Sequence, residues 1–336
     1  MIFVTGGTGL IGSHLLIELS KKEDKITAIY RDKSKIEDVK QCFSYYLAEN
    51  ADSLFTKINW VECDLLDIPQ LEEAMLNHTE VYHCAGFVSF HKGDFNKLME
   101  INRVGTTNMI NVSLHWGINK FGVVSSTAAV GNKDVPSHQE ITEEGKWVKT
   151  DQTSAYSISK YNAEREVWRG INEGLNAVIV NPSIVLGAGK WDKGSLSIFD
   201  TIHKGMPFYP SGANSFVDAR DVAAILCQLM EKNIFNQRYI CTGKNITYKE
   251  LFSKIAFQLG KKPPKYSLTT FLLKIGYIFS NIWAILTFSS SRITRDVVRS
   301  STRIVKYSNQ KIVKELNYNF FDFDATIQNA VEGRIL

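Results

Sequence analysis

The chain has little cysteine, little net charge and no long uninterrupted apolar run. Its five cysteines, Cys42, Cys63, Cys84, Cys227 and Cys241, include no C-x-x-C pair. That argues against a zinc site or a disulfide framework and fits a reduced, intracellular setting. A net charge of +4 is too small to imply a nucleic-acid partner. No internal repeat or low-complexity tract is present, and with 44% hydrophobic and 22% charged residues the composition is globular, not disordered. The most apolar window, residues 271–288, is broken by Lys274, Ser280 and Asn281. A membrane-spanning helix needs about 20 nearly uncharged residues, so a helix that covers a substrate pocket or lies on a lipid surface is expected instead. Lys261, Lys262 and Lys265 before it, and Arg292, Arg295, Arg299 and Arg303 after it, suit weak contact with an anionic membrane surface as well as a solvated face.

What is present is concentrated at the start. Met1-Ile-Phe-Val-Thr-Gly-Gly-Thr-Gly-Leu-Ile-Gly12 runs a β-branched strand into Gly6, Gly9 and Gly12, and a helix-like run from His14 to Ser20 follows. A tight turn, close approach of backbone amides to a pyrophosphate and close helix–strand packing each need a residue without a side chain. Thr8, Leu10 and Ile11 belong to the same cradle. The strand starts at Met1, so no targeting segment is expected ahead of it and a cytoplasmic location, at most peripheral to a membrane, is the simplest reading.

Strand-like runs alternate with helical patterns at Ile2–Val4, Ile26–Ile29, Ile58–Val61, Glu80–His83, Phe121–Val124 and Ala177–Val180. This predicts an α/β fold with a doubly wound parallel sheet, the Rossmann fold, and a ligand site at the carboxyl ends of the strands. Residues 1–182 are expected to form the dinucleotide-binding domain, with a return near 214–242. Residues 183–336 are expected to form a smaller, interleaved substrate domain.

The spacing T-G-x-x-G-x-x-G of residues 5–12, the Tyr156-Ser-Ile-Ser-Lys160 motif and the hydroxyl run Ser125-Ser-Thr127 together resemble the extended short-chain dehydrogenase/reductases, the NAD-dependent epimerase/dehydratase superfamily. His83-Cys-Ala-Gly-Phe-Val-Ser-Phe90 resembles its dihydroflavonol-reductase-like and 3β-hydroxysteroid-dehydrogenase-like branch, where an apolar wall follows the turn. Sugar-nucleotide epimerases and dehydratases of the superfamily carry an arginine shortly before a segment like Phe216–Asp221, whereas Ser211–Ser215 holds no cation. The resemblance implies an oxidoreductase that reduces a ketone or aldehyde, or oxidises the alcohol, of a small to mid-sized apolar substrate. A nucleotide-sugar epimerase or dehydratase, or a non-catalytic NAD(P) sensor, are the alternatives.

Hydride transfer to a carbonyl needs a proton donor beside the oxygen. Tyr156 is that donor by resemblance, and Lys160, one helical turn on, is expected to lower its pKa and to bind the nicotinamide ribose, so both residues should touch the cofactor. Ser125, Ser126 and Thr127 compete for the hydroxyl that bonds the substrate oxygen; Thr127 is the first choice and Ser126 the alternative. At the other end of the cofactor, Arg31, with Lys35, favours the 2′-phosphate of NADP(H), while the neighbouring Asp32 keeps NAD(H) open. Asp64 and Leu65 resemble the segment at the adenine, or Asp64 merely caps a helix. Ala85 and Gly86 preserve a small-residue turn, Cys84 departs from it, and Pro182 and Ser183 match the segment flanking the nicotinamide. Relatives pair two helices, here about residues 96–114 and 154–170, so a homodimer is expected.

Overall fold

The computed structural model describes residues 1–131, 135–136, 138–192, 194–268, 299 and 301–335. The apolar window 271–288, with Arg292 and Arg295, lies outside the described residues. Seven strands, β1 (Ile2–Thr5), β2 (Ile26–Tyr30), β3 (Ile58–Glu62), β4 (Glu80–His83), β5 (Lys120–Val124), β6 (Ala177–Pro182) and β7 (Gln237–Cys241), form one sheet. Its order is β7–β6–β5–β4–β1–β2–β3 and every pairing is parallel. Every residue of β1 and of β6 is buried, as strands with helices on both faces require. Helices Leu10–Ser20 and Ala219–Glu231 pack on one face, where Leu15, Leu16, Val222 and Leu226 join Val4 and Val180 in a single core. Helices Gly105–His115 and Ala155–Asn172 cover the other, with Met109, Ile110 and Val167 against Phe3, Phe121 and Ile179.

The sheet winds outward in both directions from the β1–β4 pair, which opens a crevice at the carboxyl ends of those strands. After β6 the chain enters a three-stranded sheet of Ile184–Leu186, Ala213–Asp218 and Lys244–Thr247. That sheet has its own core of Trp191, Phe199, Phe216, Leu251 and Ile327. Between Asp218 and Lys244 the chain returns to the large sheet, giving it helix Ala219–Glu231 and edge strand β7. No described helix is long and apolar enough to cross a membrane.

Candidate functional site

The crevice begins at Gly6, whose φ of +69° is open to glycine at no steric cost. A Cβ there would stand 2.5 Å from the Ala85 amide nitrogen, so the turns after β1 and β4 touch backbone to backbone. Gly12 presses the first turn of the helix on this loop: its Cβ would lie 2.0 Å from the Gly6 carbonyl oxygen. Gly9 is the N-cap of helix Leu10–Ser20 and offers no capping side chain. Ser13 N–H returns to the Gly9 carbonyl at 2.9 Å, which leaves the amides of Leu10, Ile11 and Gly12 for an anion. Leu10 and Ile11 turn their side chains to the core, and Thr8 is half-buried at the rim. A pyrophosphate fits this donor set, and the residues present therefore suit a dinucleotide.

One strand over, β4 and β1 are locked by a buried imidazole. His83 Nδ1 lies 2.7 Å from Thr5 Oγ1 and its Nε2 3.1 Å from Thr106 Oγ1. Burial, helped by Lys160, pulls its pKa down to about 3, so it is a neutral strut. Cys84, the departure noted in the sequence, has a thiol that burial pushes up to about 12, and it stays an unreactive thiol at neutral pH. Gly86 leaves room where a Cβ would come 3.6 Å from Lys160 Nζ and 3.5 Å from Asn102 Oδ1.

Tyr156 and Lys160 sit in the first turns of helix Ala155–Asn172, started by Ser154 Oγ accepting from the Ser157 amide at 3.1 Å. Ser157 Oγ then donates to the Ala128 carbonyl at 2.7 Å, pinning the helix start to the turn Thr127–Ala129. Lys160 is 8% exposed and donates to the Val124 carbonyl at 3.1 Å. Burial lowers its pKa to about 8, opposed by Glu164 and then Cys84. Burial raises the Tyr156 phenol, and the hydrogen-bonding Ser126 beside it works the other way. Thr127, the first choice from sequence, opens a tight buried turn, and its carbonyl accepts from Tyr307 Oη at 3.5 Å. Ser126, in extended backbone with φ −166°, is the hydroxyl next to Tyr156. Phe90, 39% exposed, meets the Tyr156 ring edge-on at 5.9 Å.

The other sequence-derived residues lie around the same crevice. Arg31 and Asp64, at the ends of adjacent strands, approach each other at 3.8 Å, and Lys35 approaches Asp32 at 4.0 Å. Asp64 Oδ1 accepts from the Leu66 amide at 3.0 Å, and it is Asp67 that caps the following helix. Leu65 packs on Gly105, and its carbonyl accepts from Asn108 Nδ2 at 2.8 Å. Pro182 ends β6, and Ser183 bonds the next strand through the Cys241 carbonyl (3.0 Å) and Thr242 Oγ1 (3.1 Å).

Two residues escaped the sequence reading. Asn102, in a π-helical turn, bonds both the amide (2.7 Å) and carbonyl (2.9 Å) of Phe87 and also Ser159 Oγ (2.9 Å); no spacing rule would have found it. Glu164, four residues beyond Lys160 and 3% exposed, could have been found as a carboxylate on the lysine's helix face.

Residues 2–240 match the NAD dependent epimerase/dehydratase family. Sterol demethylase protein B of Methylococcus capsulatus is 29% identical over 276 residues, 81% of this chain and 78% of that one. A Synechocystis sp. protein provisionally named dihydroflavonol 4-reductase is 29% identical over 324 residues, 94% of this chain and 88% of that one. The crystal structure of gox2253 superposes with a TM-score of 0.79 at 27% identity, covering 99% of this chain and 97% of the other. The chain therefore belongs to the NAD dependent epimerase/dehydratase family, the extended short-chain dehydrogenase/reductases, and is an NAD(P)-dependent enzyme of the oxidoreductase type.

Proposed function

We propose that this enzyme reduces the carbonyl group of a small to mid-sized apolar substrate, or oxidises the alcohol, with NADP(H) preferred over NAD(H). The observation that carries the reading is Tyr156 and buried Lys160 one turn apart on one helix at the crevice, with Ser126 beside the phenol and Phe90 packed against it. The glycine cradle would hold the cofactor by its pyrophosphate, and the bound cofactor would supply a hydride for the carbonyl carbon. Tyr156 gives its phenolic proton to the carbonyl oxygen, Ser126 donates a hydrogen bond to the same oxygen, and Thr127 stands behind as the alternative donor. Lys160, anchored on Val124, keeps two donors for the cofactor ribose. Gly6, Thr8, Gly9, Leu10, Ile11 and Gly12 hold the pyrophosphate. Arg31 and Lys35 meet the 2′-phosphate, Asp64 and Leu65 the adenine, and Ala85, Gly86, Pro182 and Ser183 the nicotinamide half. Exposed Val88 and Phe90 suit an apolar substrate, and the cation-free stretch Ser211–Ser215 does not suit a sugar diphosphate. Helices about 96–114 and 154–170 form the face of a homodimer, and the segment 271–288 makes at most weak membrane-surface contact.

The test is NADPH oxidation against a panel of aromatic, alicyclic and aliphatic ketones and aldehydes, run beside UDP- and dTDP-sugars. Turnover of a carbonyl compound without nucleotide-sugar binding is the expected result. Tight UDP or dTDP binding with a cofactor that survives purification would replace this reading with an epimerase or dehydratase.

A further inference from the structure

The reaction above gives no role to Glu164, a carboxylate buried close to Lys160. Glu164 lies one turn beyond Lys160 on helix Ala155–Asn172 and is held by groups from three neighbouring segments. Its Oε2 accepts from Ser125 Oγ (2.9 Å), just past β5, and from Asn181 Nδ2 (2.8 Å) in β6. Its Oε1 accepts from Arg238 Nη1 (3.1 Å) in β7 and from Trp168 Nε1 (3.4 Å) on its own helix. Arg238 is fixed in turn by the carbonyl of Glu143. A buried ionic network of this kind is poor evidence for stability, because apolar side chains of the same volume do as well or better. Its neighbour is more telling. Glu164 and Lys160 share, with Ser125, His83 and Thr106, the wall of a void of about 10 Å³, at the lower limit for one water.

We propose that Glu164 is a positioning residue, a counter-charge fixed by Ser125, Asn181 and Arg238 that keeps the buried Lys160 ammonium charged and seated on the Val124 carbonyl. The proposal rests on the catalytic reading of Lys160 given above and adds what maintains its charge. The groups facing Lys160 are few. Its own helix offers Tyr156 and Glu164, β4 and the turn after it offer neutral His83 and the Cys84 thiol, and the helical segment around Asn102 and Thr106 offers an amide and a hydroxyl. Glu164 is the one carboxylate among the described groups that act on the lysine, and it is the strongest of those opposing burial. Without it, only the weaker influence of Cys84 is left to oppose desolvation, and the lysine becomes neutral at a pH where the native protein keeps it charged.

The experiment uses the full chain with carbon-13-labelled lysine, the Lys160 resonance being identified by its loss in Lys160→Met. Titration from about pH 6 to about pH 10 is compared between the native protein and Glu164→Gln, which keeps size and shape. The midpoint should fall by about one pH unit or more. The limb on which kcat declines at high pH should move down with it, while KM for the carbonyl substrate holds. A folded Glu164→Gln protein whose midpoint does not move overturns the proposal. Movement of the resonance without movement of the rate limb upholds the role of Glu164 and breaks the catalytic assignment of Lys160 instead. If Glu164→Gln fails to fold because Arg238 is left unpaired, Glu164→Gln with Arg238→Gln removes both charges. A smaller downward shift is then expected, since Glu164 lines the void beside Lys160 and Arg238 does not, and an unmoved midpoint again overturns the proposal.

Discussion

The two ends of the cofactor crevice are built differently. At the catalytic end Lys160 and Glu164 are buried and held by hydrogen bonds of 2.8–3.1 Å to Val124, Ser125, Asn181 and Arg238. At the far end Arg31 meets Asp64 at 3.8 Å and Lys35 meets Asp32 at 4.0 Å, with side chains 41–56% exposed. Exposed ion pairs of that length contribute about 0–1 kcal/mol and are screened by salt, whereas removing one partner of a buried network costs several times as much. On the proposed reading the chemistry is fixed by the fold, while selectivity between cofactors would rest on side chains that a single substitution can redirect. Substitutions at the buried end should abolish function, and those at the exposed end should only retune it.

The largest effect is expected where the cradle has no room. Gly12→Ala puts a methyl group 2.0 Å from the Gly6 carbonyl, and the turn must move. A cost of about 3 kcal/mol corresponds to more than a hundredfold loss of NADPH affinity by fluorescence titration; native affinity would mean the turn is not the anion site. Tyr156→Phe comes next. It removes the proton donor and leaves the cradle intact, so kcat should drop about 10²-fold or more with cofactor affinity unchanged, and undiminished turnover on an established substrate would assign the proton to another group.

Lys160→Met separates stability from activity at the same end. The folded pKa of Lys160, about 8, lies below the usual 10.5, so folding disfavours its charged form. That penalty is full below pH 8, shrinks as the pH rises from 8 towards 10.5, and is gone above that. Whatever the variant's stability at neutral pH, the native protein should therefore gain on it by about 3 kcal/mol as the pH rises from 8 towards 10.5, and the variant should be nearly inactive throughout. A stability difference that stays constant over that range would mean that Lys160 does not change its charge there. Ser126→Ala against Thr127→Ala decides the substrate hydroxyl: a loss of about thirtyfold in kcat is expected for the first and under about threefold for the second, and the reverse order would restore Thr127.

What could be read in the sequence was what lies on one element or one turn. Gly6, Gly9 and Gly12 are a single loop, and Tyr156 and Lys160 a single helical turn, so spacing alone encodes their geometry. The strands were legible because runs such as Ala177–Val180 are apolar at every position. Asn102 was not, since its partners Phe87 and Ser159 are 15 and 57 residues away, nor was Arg238, which meets Glu164 across 74 residues. Which of Ser126 and Thr127 serves the substrate depends on where one tight turn begins, and the ionisation of the Tyr156 phenol on how burial weighs against its neighbours. Both are tertiary quantities that a motif does not carry.

The smallest effect belongs to the exposed end. Arg31 follows β2 with its guanidinium 3.8 Å from Asp64 and its side chain 56% exposed. A 2′-phosphate offers it a charge-assisted, bidentate partner better than that long pair, so NADPH should bind more tightly than NADH. Arg31→Asp exchanges this attraction for repulsion and supplies a carboxylate for a 2′-hydroxyl. The preference should change by about tenfold, the equivalent of one charge-assisted hydrogen bond at about 1.5 kcal/mol, and the change should shrink in high salt because nothing shields the pair from solvent. Titration calorimetry with both cofactors at two ionic strengths reads this directly. Equal native affinities for NADPH and NADH would remove Arg31 as the determinant, and tighter binding of NADH would give the choice to Asp32 beside it.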